Sequence, residues 1–173
     1  MRVRRANASD LSAMMNLDRR SPTAAHWTQQ QYDGLFLPAT EPQTSLLTSE
    51  RYAWVVEEWV LQEDQNSHPE RSSEEHCGVV GFLIAHRMTD ECELENLVVS
   101  AAARRQGVAT LLVTQLLTHS REIHVSSIFL EVRLSNQAAR ALYEKFGFQM
   151  ANLRKNYYSN PQENAVLYRL RLC

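Results

Sequence analysis

The chain has 173 residues, of which 44% are hydrophobic and 22% charged, which is the size and apolar content of one domain with its own core. A formal net charge of -2 gives no overall positive field, so we expect no nucleic-acid partner. Three widely spaced cysteines without a C-x-x-C pair argue against a disulfide framework, and no apolar segment is long enough for a membrane span or a secretion signal, which together predict a cytoplasmic protein.

The first forty residues predict one strand and two helices. Arg2 to Arg5 form a short strand candidate, and Ser9 or Asp10 can cap a helix whose apolar residues recur at helical spacing. A second helix is expected from near Trp27, through "TQQQYDGLF", to a stop before Pro38.

The middle of the chain predicts sheet. The segments "RYAWVVEEWVLQ", "GVVGFLIAHRM" and "CELENLVVS" are rich in β-branched and aromatic residues and are separated by breaks, so three successive strands are expected. Residues 62–76 are almost free of apolar side chains, which predicts a mobile surface loop. His68, His76 and Cys77 in and beside it lack the spacing of metal ligands, so no metal site is expected.

The last third alternates helix and strand. A strongly apolar helix runs from about Gly107 to "THS", "SSIFLEVRL" is a strand, "SNQAARALYEKFGF" is a helix stopped by Gly147, and "YYSNPQENAVLYRLRL" forms closing strands or a hairpin. The order is β-α-α-β-β-β-α-β-α-β-β. It predicts a single α/β domain over residues 1–173, with a mixed, mostly antiparallel sheet of six to seven strands and helices on both faces.

The segment "SAAARRQGVATLL" predicts an anion site. A strand that ends at Val99, a short loop and a helix that starts near Gly107 gather unpaired backbone N–H groups at the positive end of a helix dipole. Gly107 leaves room for close backbone approach to a phosphate, and Arg104 and Arg105 add charge. The chain contains neither G-x-G-x-x-G nor G-x-x-x-x-G-K-S/T, which excludes the two commonest nucleotide loops.

The six residues from Arg104 to Ala109 fit the pattern R/Q-x-x-G-x-G/A, which resembles the coenzyme A diphosphate loop of the GCN5-related N-acetyltransferase (GNAT) superfamily. "LENLVVS" before it resembles that family's fourth strand, and "IFLEVRLSNQAARALYEKFGF" after it resembles the fifth strand and fourth helix. With "RKNYYSNPQENAVLYRL", the closing part is similar to the RimI-type ribosomal-protein alanine N-acetyltransferases.

The resemblance implies a GNAT fold and acetyl-CoA as cosubstrate, bound by the loop, by the backbone of the fourth strand and by the start of the fourth helix. The implied cofactor-binding residues are Leu97, Val98, Val99, Arg104, Arg105, Gln106, Gly107, Val108, Ala109, Thr110, Asn136 and Tyr143.

Acetyl transfer needs a neutral amine and an acid that protonates the departing thiolate. Glu131 lies inside a strand and is the general-base candidate, implied by its match to the RimI-type base; the alternative is a structural pair with Arg133. Tyr143 is the implied acid, or else a core residue. Glu93 and Glu95, two apart on the fourth strand, are the alternative bases.

The acceptor side is predicted from aromatic residues and from amine chemistry. The segment "HWTQQQY" resembles the family's first substrate loop, so Trp27 is expected to bind the acceptor. Tyr157, Tyr158 and Glu95 are expected to bind the acceptor with it, whereas Tyr32 is expected in the core. The long loop at 62–76 and the pair Glu163-Asn164, where that group usually has two acidic residues, bear on acceptor choice.

The leading hypothesis is therefore an acyltransferase that acetylates the N-terminal alanine of a ribosomal protein by direct attack on acetyl-CoA. It is expected to act as a monomer, without metal, nucleic acid or membrane. Acetylation of a small amine, such as a polyamine or an aminosugar, is the second hypothesis. A non-catalytic coenzyme A binding module is the third.

Overall fold

A computed structural model describes residues 1–36, 49–60 and 76–172. The strands are β1 (Arg2–Arg5), β2 (Ser49–Val60), β3 (His76–Met88), β4 (Glu91–Val99), β5 (Ser127–Arg133), β6 (Gln149–Ser159) and β7 (Gln162–Arg171). The helices are α1 (Leu11–Arg19), α2 (Gln29–Asp33), α3 (Val108–Glu122) and α4 (Gln137–Lys145), with short 3-10 turns at Ala8–Asp10 and Ala101–Ala103.

The seven strands form one sheet in the order β1-β2-β3-β4-β5-β7-β6. Every neighbouring pair is antiparallel except β4 and β5, which are parallel. A parallel pair needs a crossover, and α3 supplies it, whereas hairpin connections suffice elsewhere among β3, β4, β6 and β7. The predicted mixed, mostly antiparallel sheet of six to seven strands is confirmed.

Helices cover both faces of the sheet, as predicted. On one face, α3 and α4 pack against β2, β4, β5 and β7 around residues such as Leu112, Leu116 and Leu130. On the other face, α1 and α2 pack through Met14 and Tyr32 against β2 and β3. Tyr32 is in this core, as expected, with 1% of its surface exposed.

A β-bulge at Glu95 shifts the alternation of β4, so that the side chains after it face the opposite side of the sheet from the one that regular alternation would give. Ala85 pairs with Leu94 and Ile84 pairs with Asn96, so Glu95 is the extra residue. Before the bulge, Leu94 faces α3 and α4; after it, Leu97 packs on that face and Val98 packs on the opposite one. Simple alternation would have placed residues 93, 95, 97 and 99 on one face, and the bulge divides them between the two.

Three local predictions need correction. The first capping residue is Asn7, whose side chain accepts from the backbone N–H of Ser9, while the carboxylate of Asp10 accepts from the backbone N–H of Asn7 at 2.8 Å and also binds Arg4. Helix α2 is shorter than predicted and ends at Asp33, with Thr28 as its cap. Strand β6 begins at Gln149, well before "YYSNP". The sequence did not predict this start because most side chains of β6 are exposed and show no clear apolar alternation.

The predicted loop at 62–76 lies outside the described residues except for His76, which begins β3. Among the helices of the described ranges, none combines the length and the apolar character needed to span a membrane.

Candidate active site

The loop between β4 and α3 has the backbone of an anion-binding turn. Arg105 and Gly107 both have left-handed conformations, with φ of 65° and 86°. Gly107 occupies the N-cap of α3 and no side chain caps this end of the helix, so first-turn N–H groups point out of the helix without such a partner. Glycine meets the positive φ without the cost of a Cβ atom.

A groove of about 710 Å³ opens beside this loop. Nine residues that the sequence assigned to the donor line it: Leu97, Val99, Arg104, Arg105, Gly107, Val108, Ala109, Thr110 and Asn136. We call this the donor groove.

Three other assigned residues do not line the donor groove. The Val98 side chain is 2% exposed and packs on the opposite face of the sheet, so only its backbone is near the donor side. The Gln106 amide turns back and donates to the carbonyl of Ala102 at 2.9 Å. The ring of Tyr143 is 5% exposed and packs 5.7 Å from Phe148 and 6.4 Å from Tyr168, measured between ring centroids.

The sequence reading missed one wall of the donor groove. It is formed by α4, by the segment after α1 and by the turn at Ala101–Ala103, and its residues are Ser21, Thr23, Ala103, Ala138, Ala139, Ala141, Leu142 and Lys145. Ala138, Ala141, Leu142 and Lys145 recur at i, i+3, i+4 and i+7, which marks one stripe of a helix. Small side chains on such a stripe were the available signal, and Lys145 places a cation at its far end.

Strands β4 and β5 separate immediately above the donor groove. Their pairing covers only Glu91–Leu94 with Ser127–Leu130. Beyond Leu94 and Leu130, β4 is paired only with β3, and β5 only with β7, among the described strands. The backbone groups of Glu95–Val99 that face β5 therefore have no strand partner within the described residues, which leaves them available to a ligand in the gap.

Three carboxylates surround the far side of this gap, and we call them the acidic face: Glu93, Glu95 and Glu131. Glu131 pairs with Arg154 at 2.6 Å, and Glu95 pairs with Arg51 at 2.9 Å. The alternative expectation of a Glu131–Arg133 pair is wrong, since Arg133 pairs instead with Glu163. Glu93 forms no ion pair with any residue of the described ranges.

The acidic face shifts the titration of one of its members, Glu93, and of the neighbouring Tyr157. Burial, together with the charges of Glu95 and Glu131, raises the pKa of Glu93 above its ordinary value, and Arg51 and Arg154 offset part of this effect. Hydrogen bonding to Glu131 raises the pKa of the Tyr157 hydroxyl, so that Tyr157 stays a donor to that carboxylate. The arrangement can therefore accept a proton from a cationic group brought to the gap.

The aromatic residues expected to bind an acceptor border the acidic face. Tyr157 is 50% exposed, and its ring lies 5.3 Å from the Arg154 guanidinium. Tyr158 lies beneath Arg133, with 4.0 Å from guanidinium to ring centroid. Trp27 comes from a distant part of the chain and lies 5.8 Å from the guanidinium of Arg51, the partner of Glu95. Three separate segments thus meet around one group of carboxylates.

Tyr143, the predicted acid, is more buried than Glu131, the predicted base. Burial raises the pKa of its hydroxyl, with a smaller contribution from Tyr158. A raised pKa keeps the hydroxyl protonated at neutral pH. Within the part of the chain that the structure describes, its hydroxyl makes no side-chain hydrogen bond that would fix it elsewhere.

No group of three or more His, Cys, Asp and Glu side chains suited to a metal ion occurs within residues 1–36, 49–60 and 76–172. His68 is outside those ranges, and the side chains of His76 and Cys77 are not described.

Comparison with known proteins identifies the family. Residues 22–148 match the sequence profile of the acetyltransferase (GNAT) family. The [ribosomal protein bS18]-alanine N-acetyltransferase of Haemophilus ducreyi is 40% identical over 101 residues, which cover 57% of this chain and 70% of that protein. The match to the protein of the same name from Escherichia coli strain K12 covers 64% of its length, less than two thirds.

Two solved structures show the same fold. The crystal structure of the ribosomal-protein-S18-alanine N-acetyltransferase from Escherichia coli superimposes with a TM-score of 0.69 at 24% identity, covering 98% of this chain and 92% of that one. Arabidopsis thaliana NAA60 in complex with acetyl-CoA superimposes with a TM-score of 0.73 at 17% identity, covering 99% and 98%. With the profile match over most of its length, the chain belongs to the acetyltransferase (GNAT) family.

Proposed function

We propose that this chain transfers the acetyl group of acetyl-CoA to a protein N-terminus, namely to the α-amine of the N-terminal alanine of a ribosomal protein. The observation that carries the proposal is the gap between β4 and β5, which connects the donor groove to the acidic face. The acceptor is suggested by the relatives whose names specify an alanine of ribosomal protein bS18. The proposal places the enzyme in the cytoplasm, acting as a monomer without metal, nucleic acid or membrane.

The donor groove fits acetyl-CoA by charge and by shape. The diphosphate would bind the N–H groups at the start of α3 beside Arg104 and Arg105, and Asn136 with the free backbone of Leu97 and Val99 would hold the pantetheine amides. The thioester supplies an activated acyl group. Within the described residues, neither arginine has a carboxylate partner that a ligand would have to displace.

Glu131 is our choice for the base. Deprotonating an α-amine of pKa ~7.8 costs about 1 kcal/mol at pH 7, whereas a lysine of pKa ~10.4 costs about 4.6 kcal/mol. A carboxylate that receives the proton directly or through water is a sufficient base for the α-amine and too weak a base for the lysine amine. Glu131 lies at the gap, and Tyr157 and Arg154 hold its carboxylate in place. Glu93 and Glu95 remain the alternatives.

Tyr143 is our choice for the acid that protonates the thiolate. It follows Asn136 by two turns of α4, and its hydroxyl stays protonated at rest. Trp27, Glu95, Tyr157 and Tyr158 would surround the first residues of the acceptor peptide. The amine attacks the thioester carbonyl, the C–S bond breaks, and the amine's proton leaves to the acidic face.

Intact-mass measurement of acetyl transfer tests the proposal. A peptide that begins Ala-Arg is incubated with the enzyme and acetyl-CoA beside the same peptide with a blocked N-terminus. We expect one added acetyl group on the free peptide only. Equal labelling of both peptides would exclude the α-amine. Turnover only with polyamines or aminosugars would instead favour a small-amine acetyltransferase, and coenzyme binding without thiol release on any acceptor would indicate a binding module.

A further inference from the structure

Arg133 occupies the last position of β5, two residues after Glu131, and most of its polar contacts are with one turn. Its guanidinium donates to the carbonyl of Asn160 at 3.0 Å, to the carbonyl of Pro161 at 3.3 Å and to the carboxylate of Glu163 at 3.4 Å. Asn160 and Pro161 form the connection between β6 and β7, and Glu163 is the second residue of β7. The side chain is 15% exposed; its bond to Glu163 is partly buried, and its two bonds to backbone carbonyls lie at the surface.

The same guanidinium covers an acceptor-side aromatic ring. Its carbon lies 4.0 Å from the centroid of the Tyr158 ring, which is within the range of a cation–π contact. Arg133 therefore fixes Tyr158 through its face and fixes the following turn through hydrogen bonds. Lysine cannot do both, because a single ammonium group lacks the planar fork of donors.

Glu163 extends the contact from the turn to the donor groove. Its second carboxylate oxygen accepts from the backbone N–H of Ser135 at 2.5 Å, which lowers the pKa of Glu163. The next residue, Asn136, caps α4 and lines the donor groove. One carboxylate thus holds the acceptor turn against the start of the donor wall.

Asn164 braces the strand that carries both tyrosines. Its backbone carbonyl accepts from the N–H of Leu134 at 3.0 Å, and its side-chain oxygen accepts from the N–H of Asn156 at 2.9 Å. Asn156 has a φ of 54° inside an irregularity of the β6–β7 pairing, immediately before Tyr157. The Asn164 side chain thus binds the backbone immediately before the two tyrosines, while the Glu163 side chain binds the backbone of Ser135.

We propose that Arg133, with Glu163 as its partner, is a positioning residue for the acceptor peptide: it holds Tyr157 and Tyr158 against the acidic face while touching neither substrate. The inference rests on the proposed function. It assigns acceptor affinity to a side chain outside the donor groove, and it gives the pair Glu163-Asn164 a bracing role in place of direct contact with the acceptor.

The test uses Arg133→Gln, Arg133→Lys and, as a matched control, Arg169→Gln. Arg169 pairs with Glu91 at the opposite end of the sheet and lies far from the turn in the β7 register. The Michaelis constants for the Ala-Arg peptide and for acetyl-CoA are measured with kcat, and the dissociation constant of CoA is measured by calorimetry. Hydrogen exchange is followed at residues 156–164 and at residues 104–110.

We expect Arg133→Gln to raise the peptide KM by about tenfold, the effect of losing roughly 1.4 kcal/mol, while the CoA dissociation constant changes less than twofold. Exchange should accelerate at 156–164 and stay unchanged at 104–110. Arg133→Lys should recover less than half of the loss, and Arg169→Gln should behave as the parent protein.

Two results would overturn the inference. One is an unchanged peptide KM with unchanged exchange at 156–164. The other is a parallel loss in both substrates with faster exchange throughout, which indicates general destabilisation. If the parent enzyme acetylated no peptide, the proposed function would be wrong. Hydrogen exchange does not depend on turnover, so the exchange rates at residues 156–164 in the Arg133 variants would still test whether Arg133 holds this segment.

Discussion

The donor groove and the acidic face differ in the sign of their charged side chains and in whether those side chains form ion pairs. In the described part of the chain, Arg104, Arg105 and Lys145 line the groove without forming an ion pair. Across the gap, Glu95 and Glu131 each hold an arginine. The groove is thus prepared for a strongly anionic ligand, whereas the acidic face already balances most of its charge, which suits a substrate that must lose its own charge before it reacts.

The largest expected effect separates the two regions by function. Replacing Glu131 with Gln should lower kcat by about 10²-fold, the lower end of what general base catalysis contributes, and leave the acetyl-CoA KM unchanged. Steady-state kinetics over pH 6 to 9 measure both constants. Glu91→Gln is the matched control, since Glu91 pairs with Arg169 at the other end of β4, and it should keep the kcat of the parent. A fully active Glu131→Gln enzyme would remove that residue from the mechanism and direct attention to Glu93.

The next effect belongs to the donor groove. Arg104→Gln and Arg105→Gln should each raise the acetyl-CoA KM by about tenfold, because a charge-assisted bond to phosphate contributes roughly 1.5 kcal/mol. The peptide KM should not change. The loss should shrink as ionic strength rises, since salt screens exposed charges. A change in the peptide KM alone would place these arginines on the acceptor side and would contradict the division of roles between the donor groove and the acidic face.

A smaller effect tests the far end of the groove. Lys145→Gln should weaken CoA binding about threefold, the order of an exposed ion pair. Lys155→Gln, which changes the only other lysine of the chain, is the control. Calorimetry with CoA and with 3′-dephospho-CoA shows which phosphate is involved. If Lys145 meets the 3′-phosphate, the variant and the parent should bind dephospho-CoA equally, and an equal loss with both ligands would contradict that assignment.

The smallest effect concerns stability on the acidic face. Because the folded state raises the pKa of Glu93, the ionised carboxylate opposes folding above that pKa and has no such effect when it is protonated in both states. Glu93→Gln should therefore raise the melting temperature at pH 8, and the gain should disappear below the pKa of an unfolded glutamate, near pH 4. Thermal unfolding at the two pH values measures it. A gain that persisted at pH 3.5 would have another cause.

The two regions also differ in how far the sequence predicted them. Eight of the nine donor residues lie within residues 97–110, where a strand, a glycine loop and a helix dipole explain them locally. The pairing of Glu131 with Arg154 depends on the register of β5, β7 and β6, which no local pattern contains. The bulge at Glu95 was equally hidden, because an extra residue in β4 is visible only against the spacing of β3.

We propose that the gap between β4 and β5 joins the donor groove and the acidic face into one site. A conjugate that links CoA through an acetyl bridge to the α-amine of an Ala-Arg peptide tests this most directly, measured by calorimetry against CoA alone. We predict binding at least about 100-fold tighter for the conjugate, because linking makes the second contact intramolecular. Equal affinity for the conjugate and for CoA would show that the peptide half finds no site, and would contradict the account.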